Sequence, residues 1–141
     1  MSKRREFYEI EERKRTREKK LKFKISQNGP PDVKNDGIYV YLTVEIFNIS
    51  ELPIHLLKAK IVFYNNGLPT DTKLPMTKEN ARFLGSTVYP VDPIQKIMTL
   101  VTDDLNIMEK VAYNPFKLII TDEFDTTFQS NLFQIKWTPS R

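Results

Sequence analysis

Ten consecutive residues, Ile38 to Phe47, alternate without a break: Ile38, Val40, Leu42, Val44 and Ile46 in one register, Tyr39, Tyr41, Thr43, Glu45 and Phe47 in the other. A helix would scatter these side chains round its circumference, whereas a strand sends successive residues to opposite faces. The stretch therefore reads as a strand with one wholly aliphatic face. At about 1.5–3 kcal/mol per fully buried aliphatic side chain, that face is the expected centre of the core. A strand leaves its backbone donors and acceptors open on both edges, so the rest of the chain has to supply partners.

Further period-two segments meet that demand. Leu21, Phe23 and Ile25 alternate with Lys22, Lys24 and Ser26, and Leu57, Ala59, Ile61 and Phe63 with Lys58, Lys60, Val62 and Tyr64. Breaks fall between them, at Asn28-Gly29-Pro30-Pro31, Asp36-Gly37, the polar corner Asn48 to Pro53, and Asn65-Asn66-Gly67. Leu68 to Pro93 is the least regular stretch, because Pro69, Pro75, Pro90 and Pro93 oppose ladder formation. Within it Thr77 is a candidate N-cap for a short helical turn that Gly85 would stop. Ile94, Met98 and Leu100 resume the alternation. Asp104 is placed to cap a second short helix, with Leu105, Met108 and Ala112 on its inner face and Asn114-Pro115 as its end. Phe116 to Ile120 and Phe128 to Trp137 form a closing pair. The apolar parity of the last segment changes between Phe128 and Phe133, which predicts a one-residue bulge near Ser130 to Leu132.

Short strands without long helices between them point to an all-β antiparallel sandwich rather than a parallel α/β sheet. The corner Asn48-x-Ser50-x-x-Pro53-Ile54, the later Pro90-x-Asp92-Pro93, and the final pair Phe116 to Thr121 and Phe128 to Ile135 together resemble immunoglobulin-like β-sandwich domains of small uncharacterised bacterial proteins. The resemblance covers about residues 21–138 and implies the fold alone, with no functional residue attached. The Cys-Trp-Cys framework of antibody domains is missing, since the chain has no Cys. Some domains of this general sort follow a membrane helix and a charged stalk.

Residues 1–20 read as a separate charged N-terminal helix or arm, and residues 21–141 as the β-sandwich domain. From Ser2 to Lys20 there is no Gly or Pro, and Glu9 with Arg13 and Glu11 with Arg15 pair at i, i+4. Phe7, Tyr8 and Ile10 make no continuing stripe, which argues against a coiled coil or a membrane-surface helix. Residues 1–24 hold 11 Lys and Arg against 5 acids, leaving 11 against 13 for the remainder. The overall excess of +4 is thus a property of the arm. Without a membrane span or a signal-peptide core after Met1, the expected location is cytoplasmic.

The chemistry is sparse. Without Cys, thiolate metal sites and thiol nucleophiles are excluded. His55 is the single imidazole and has no companion nucleophile in sequence, so it reads as a strand-end residue. Asp122-Glu123-Phe124-Asp125 lacks the twelve-residue pattern of a calcium loop and reads as a hairpin turn. Phosphate-cradling and hydrolase motifs are absent, and the four glycines fall at turns. The chain is expected to be no enzyme, with no catalytic residue, metal or cofactor. Its expected role is as a protein-protein interaction or assembly module, with Tyr39, Tyr41 and Phe47 as candidate contacts. The alternative is a polyanion- or nucleic-acid-binding accessory protein acting through Arg13, Lys14, Arg15, Arg17, Lys19 and Lys20. The acids interleaved at Glu6, Glu9, Glu11, Glu12 and Glu18 oppose that alternative.

Overall fold

The alternation at 38–47 becomes the longest strand of its sheet and sets the positions of the others. The structure, a computed structural model, describes residues 18–137. In chain order the elements are β1 (Leu21–Gln27), β2 (Asp32–Lys34), β3 (Gly37–Asn48), β4 (Ile54–Asn65) and β5 (Leu68–Met76), then β6 (Thr87–Val88), β7 (Ile94–Thr102), α1 (Leu105–Tyr113), β8 (Phe116–Asp122) and β9 (Thr127–Gln129). The helix proposed for residues 1–20 lies almost wholly outside the described residues, and Lys19 and Lys20 are not helical.

Two antiparallel sheets enclose one core. In the first, β1 and the short β2 pair along one side of β3, and β7 pairs along the other. In the second the order is β5-β4-β8-β9, with β6 added to the start of β4. Ile38, Val40, Leu42, Val44 and Ile46 are all buried, as their alternation requires, and they meet Ile61, Phe63, Phe116, Leu118 and Ile120 of the second sheet. Phe63 and Phe116 pack edge to face at 6.2 Å between ring centroids. Gly37 opens β3 against the end of β7, where a Cβ would come within 2.5 Å of the Thr102 carbonyl oxygen. Only glycine lets the two backbones approach this closely.

Several expectations shift in detail. In β4 the inward set is Ile54, Leu56, Ala59, Ile61 and Phe63, and Leu57 is exposed. A bulge between Leu56 and Lys58 inserts one residue opposite β8 and reverses the parity. β5 runs for nine residues through Pro69 and Pro75, in the stretch expected to be least regular. It is an edge strand, where a nitrogen without a hydrogen costs no ladder bond if it faces away from the neighbour. Thr77 starts a single helical turn, closed by Ala81 N–H donating to the Thr77 carbonyl at 2.8 Å and capped by Thr77 Oγ1, which accepts from Asn80 N–H at 3.3 Å; a second turn, not a continued helix, carries the chain to Gly85.

α1 starts where expected. The Asp104 carboxylate accepts from Asn106 and Ile107 N–H. Its inner face, however, is Ile107, Met108 and Val111, while Leu105 is exposed. The i, i+1, i+4 stripe beginning at Ile107 buries a β-branched pair that the Leu105 stripe would leave outside. The bulge predicted near Ser130 is present: Ile120 faces Phe128, yet Phe116 faces Phe133, one residue further than a regular ladder allows. Leu118 N–H donates to Ser130 Oγ at 2.8 Å, so the side chain stands in for a displaced carbonyl. Beyond Gln129 the chain is irregular up to Trp137 rather than a continuous strand.

Candidate functional site

Tyr39, Tyr41 and Phe47 all lie half-buried on the outer face of β3, but they do not form one patch. Eight residues of strand separate Tyr39 from Phe47, about 26 Å. At one end the Tyr39 hydroxyl donates to Asp36 Oδ2 at 2.7 Å, and Lys34 Nζ lies 4.5 Å from the centre of its ring. The hydrogen bond to Asp36, followed by burial and the nearby carboxylate charges, raises the Tyr39 phenol above its ordinary value. Tyr39 is thereby tied to its own sheet. Thr43, midway, exchanges hydrogen bonds with the Asn28 side chain.

Phe47 belongs to a different surface. Together with Ile49, Pro90 and Val91 it borders a shallow groove of ≈ 400 Å³ between the β3–β4 corner and the β6–β7 loop. The two loops are joined by Asn48, which is buried. Its amide donates to the Leu52 and Val88 carbonyls at 2.7 and 2.8 Å, and its oxygen accepts from Ser50 N–H at 2.9 Å. A backbone bridge between Asn48 and Pro90 completes the connection. The corner that carried the sequence resemblance is thus a hydrogen-bonded joint, and its polar residues serve the fold.

The loop itself is a tight turn. Asp92 N–H donates to the Tyr89 carbonyl at 3.2 Å, with Pro90 and Val91 at the two central positions and Val91 at φ +59°. Proline first and positive φ second define a type II turn, whose second central position ordinarily holds Gly or Asn. A β-branched residue there is a genuine outlier. Val91 is 98% exposed, and Ile49 and Tyr89 beside it are 60% and 54% exposed. This end of the molecule therefore presents several exposed apolar side chains, and one of them, Val91, stands on an unfavourable backbone while burying almost nothing of its own side chain. Sequence reasoning took Phe47 from this cluster but missed Ile49, Tyr89 and Val91. The signal was Pro90-Val91, a turn-forming proline followed by a residue that a turn disfavours.

The remaining candidates have structural partners. His55 Nδ1 lies 2.9 Å from Thr87 Oγ1 across the β4–β6 pair. Asp122 is 1% exposed, accepts from Lys19 Nζ at 3.0 Å, and also accepts from Phe124 and Thr126 N–H at 2.9 and 2.8 Å. Burial works against its charge, but the Lys19 bond and the two amides outweigh it and hold the carboxyl below its ordinary value. Glu123 and Asp125 are exposed, so the three carboxylates do not converge. Among the described residues no group of His, Cys, Asp and Glu is placed to hold a metal ion. Lys19 also sits 4.3 Å from the Phe124 ring centre, which commits this lysine to the fold, whereas Lys20 is exposed. Arg13, Lys14, Arg15 and Arg17 lie outside the described residues. No helix among the described residues is long and apolar enough to cross a membrane.

No protein-family model matches the chain, and no curated protein matches its sequence. Among solved structures it is similar to a Northeast Structural Genomics Consortium target, SoR45, with 14% identity, 88% of this chain and 89% of that one covered, and a TM-score of 0.49. It is also similar to the putative ApaA protein from Bordetella pertussis, with 10% identity, 85% and 98% coverage, and a TM-score of 0.43.

Proposed function

We propose that residues 21–141 form an immunoglobulin-like β-sandwich that acts as a non-enzymatic protein-interaction module, meeting its partner through the apolar end built from Phe47, Ile49, Tyr89 and Val91. The strand order supports the fold reading. β1-β3-β7 against β5-β4-β8-β9 corresponds to the A-B-E and C′-C-F-G strands of immunoglobulin-like domains, with the chain crossing between sheets after β3, β6 and β7. The functional reading rests on Val91. A side chain that costs backbone energy and is almost fully exposed is unfavourable in the isolated fold, and a partner that covers it supplies the missing burial. At interfaces the energy concentrates in a few such apolar anchors.

A photo-crosslinking residue placed at position 91, and separately at 49, in the full chain within its native host tests the proposal. The same protein adduct from both positions, with none from position 66 on the β4–β5 turn, is the expected result. Equal adducts from position 66, or none from 91 and 49, would reject this surface.

A further inference from the structure

The outer face of the second sheet carries a separate groove of ≈ 690 Å³ across β4, β5 and β8. Its floor is apolar, formed by Leu57, Pro75, Met76, Leu84 and Ile119, and Lys58, Lys60, Lys73 and Lys78 stand around it. Among the described residues no carboxylate, arginine, histidine or aromatic side chain lines it. Among the described residues the ion pairs are Lys19 with Asp122 and Lys34 with Asp32, so none of the four lysines has a described carboxylate partner. Their cross-strand neighbours are uncharged: Lys58 faces Thr121, Lys60 faces Ile119 and Pro75, and Lys73 faces Val62. Like charges gathered on one face repel one another.

We propose that this groove binds an extended acidic segment of a partner protein in which carboxylates alternate with apolar side chains. Lys58 and Lys60 are two residues apart on one strand face, about 6.6 Å. Carboxylates at alternate positions of an extended peptide repeat at the same spacing. The intervening apolar side chains turn towards the floor, while the lysine stems rise beside it and carry their ammonium groups to the edges of the segment, where flexible acidic side chains fold back to meet them. Nucleic acid fits less well. Among the described residues the lining has no planar guanidinium for bidentate phosphate contact and no aromatic ring on which a base would stack.

The test is fluorescence anisotropy with the full chain and a labelled octapeptide alternating Glu and Leu, at low and moderate salt. The expected result is saturable binding that weakens at least tenfold in Lys58→Glu/Lys60→Glu. It should also weaken in Lys58→Met/Lys60→Met, which keeps the aliphatic stems and secures the result against misfolding of the first variant. Octaglutamate, with charge but no apolar row, should bind at least fivefold more weakly. The proposal is overturned if both double variants bind within twofold of the parent, if octaglutamate or an oligothymidylate of equal charge matches the alternating peptide, or if binding is lost only when Arg13, Lys14 and Arg15 are replaced.

Discussion

Replacing Val91 by Asn should make the protein more stable, an unusual expectation for a substitution that removes an apolar side chain. A positive φ costs an ordinary L-residue about 1–2 kcal/mol, and the β-branched Val is among the least tolerant. Asn accepts that conformation far more readily. Val91 is 98% exposed, so its removal forfeits almost no burial, and the Tyr89–Asp92 hydrogen bond is made by backbone atoms that remain. Val91→Asn is therefore expected to gain about 1 kcal/mol, or roughly 3–5 °C in melting temperature for a chain of this size. Val91→Gly relieves the strain completely but returns about 0.4–1 kcal/mol through the added freedom of the unfolded chain, so it should gain less. Val91→Ala keeps a Cβ on the same backbone and should gain least. The check is urea and thermal unfolding of the three variants at unchanged m-value. Val91→Asn melting at or below the parent, or Val91→Ala gaining as much as Val91→Asn, would refute the claim that backbone conformation is the source of the cost.

The core and the buried ion pair yield sharper losses. Val44→Asp puts an unpaired carboxylate among side chains that are fully buried and should cost several kcal/mol, enough to abolish the cooperative melt; a variant melting within two degrees of the parent would refute the strand's placement. Because the folded Asp122 carboxyl is held below its ordinary value, its contribution is complete above the usual carboxylate range and is lost as pH falls through the lowered value. Stability should accordingly drop below about pH 4, and Asp122→Asn should flatten that part of the profile while lowering stability at neutral pH by about 2–4 kcal/mol through the unpaired Lys19. An unaltered acid limb in the variant would contradict the assignment.

What the sequence made legible was whatever alternation alone determines. The buried row of β3 and the capped start of α1 follow from side-chain spacing and one carboxylate. The bulge at Ser130 was visible because a change of parity has a single cheap remedy. Leu57 was misplaced because a bulge in β4 leaves no mark where both neighbouring registers, Leu56 and Leu57, are equally apolar. β5 was hidden by its prolines, which exclude a central strand but not an edge one. Phe47 shares a strand face with Tyr39 and Tyr41, yet a shared face does not make a shared patch once about 26 Å of strand lies between its ends. The four lysines of the second groove come from β4, β5 and the turns after it, and only sheet register brings them together.

Asn48 sets how stiff the apolar end is, which decides what the proposed association would cost. Its side chain satisfies acceptors on the β3–β4 corner and on β6 together, so Ile49 on one loop and Val91 on the other are carried by a single stiff joint rather than by two independent loops. A surface fixed in advance gives up little conformational entropy when it is covered, so a larger share of the contact energy survives as affinity. The same rigidity removes tolerance. Such a surface does not remould itself around a partner of slightly different shape, and discrimination falls to steric fit, with each misplaced methyl group on the partner felt in the dissociation rate.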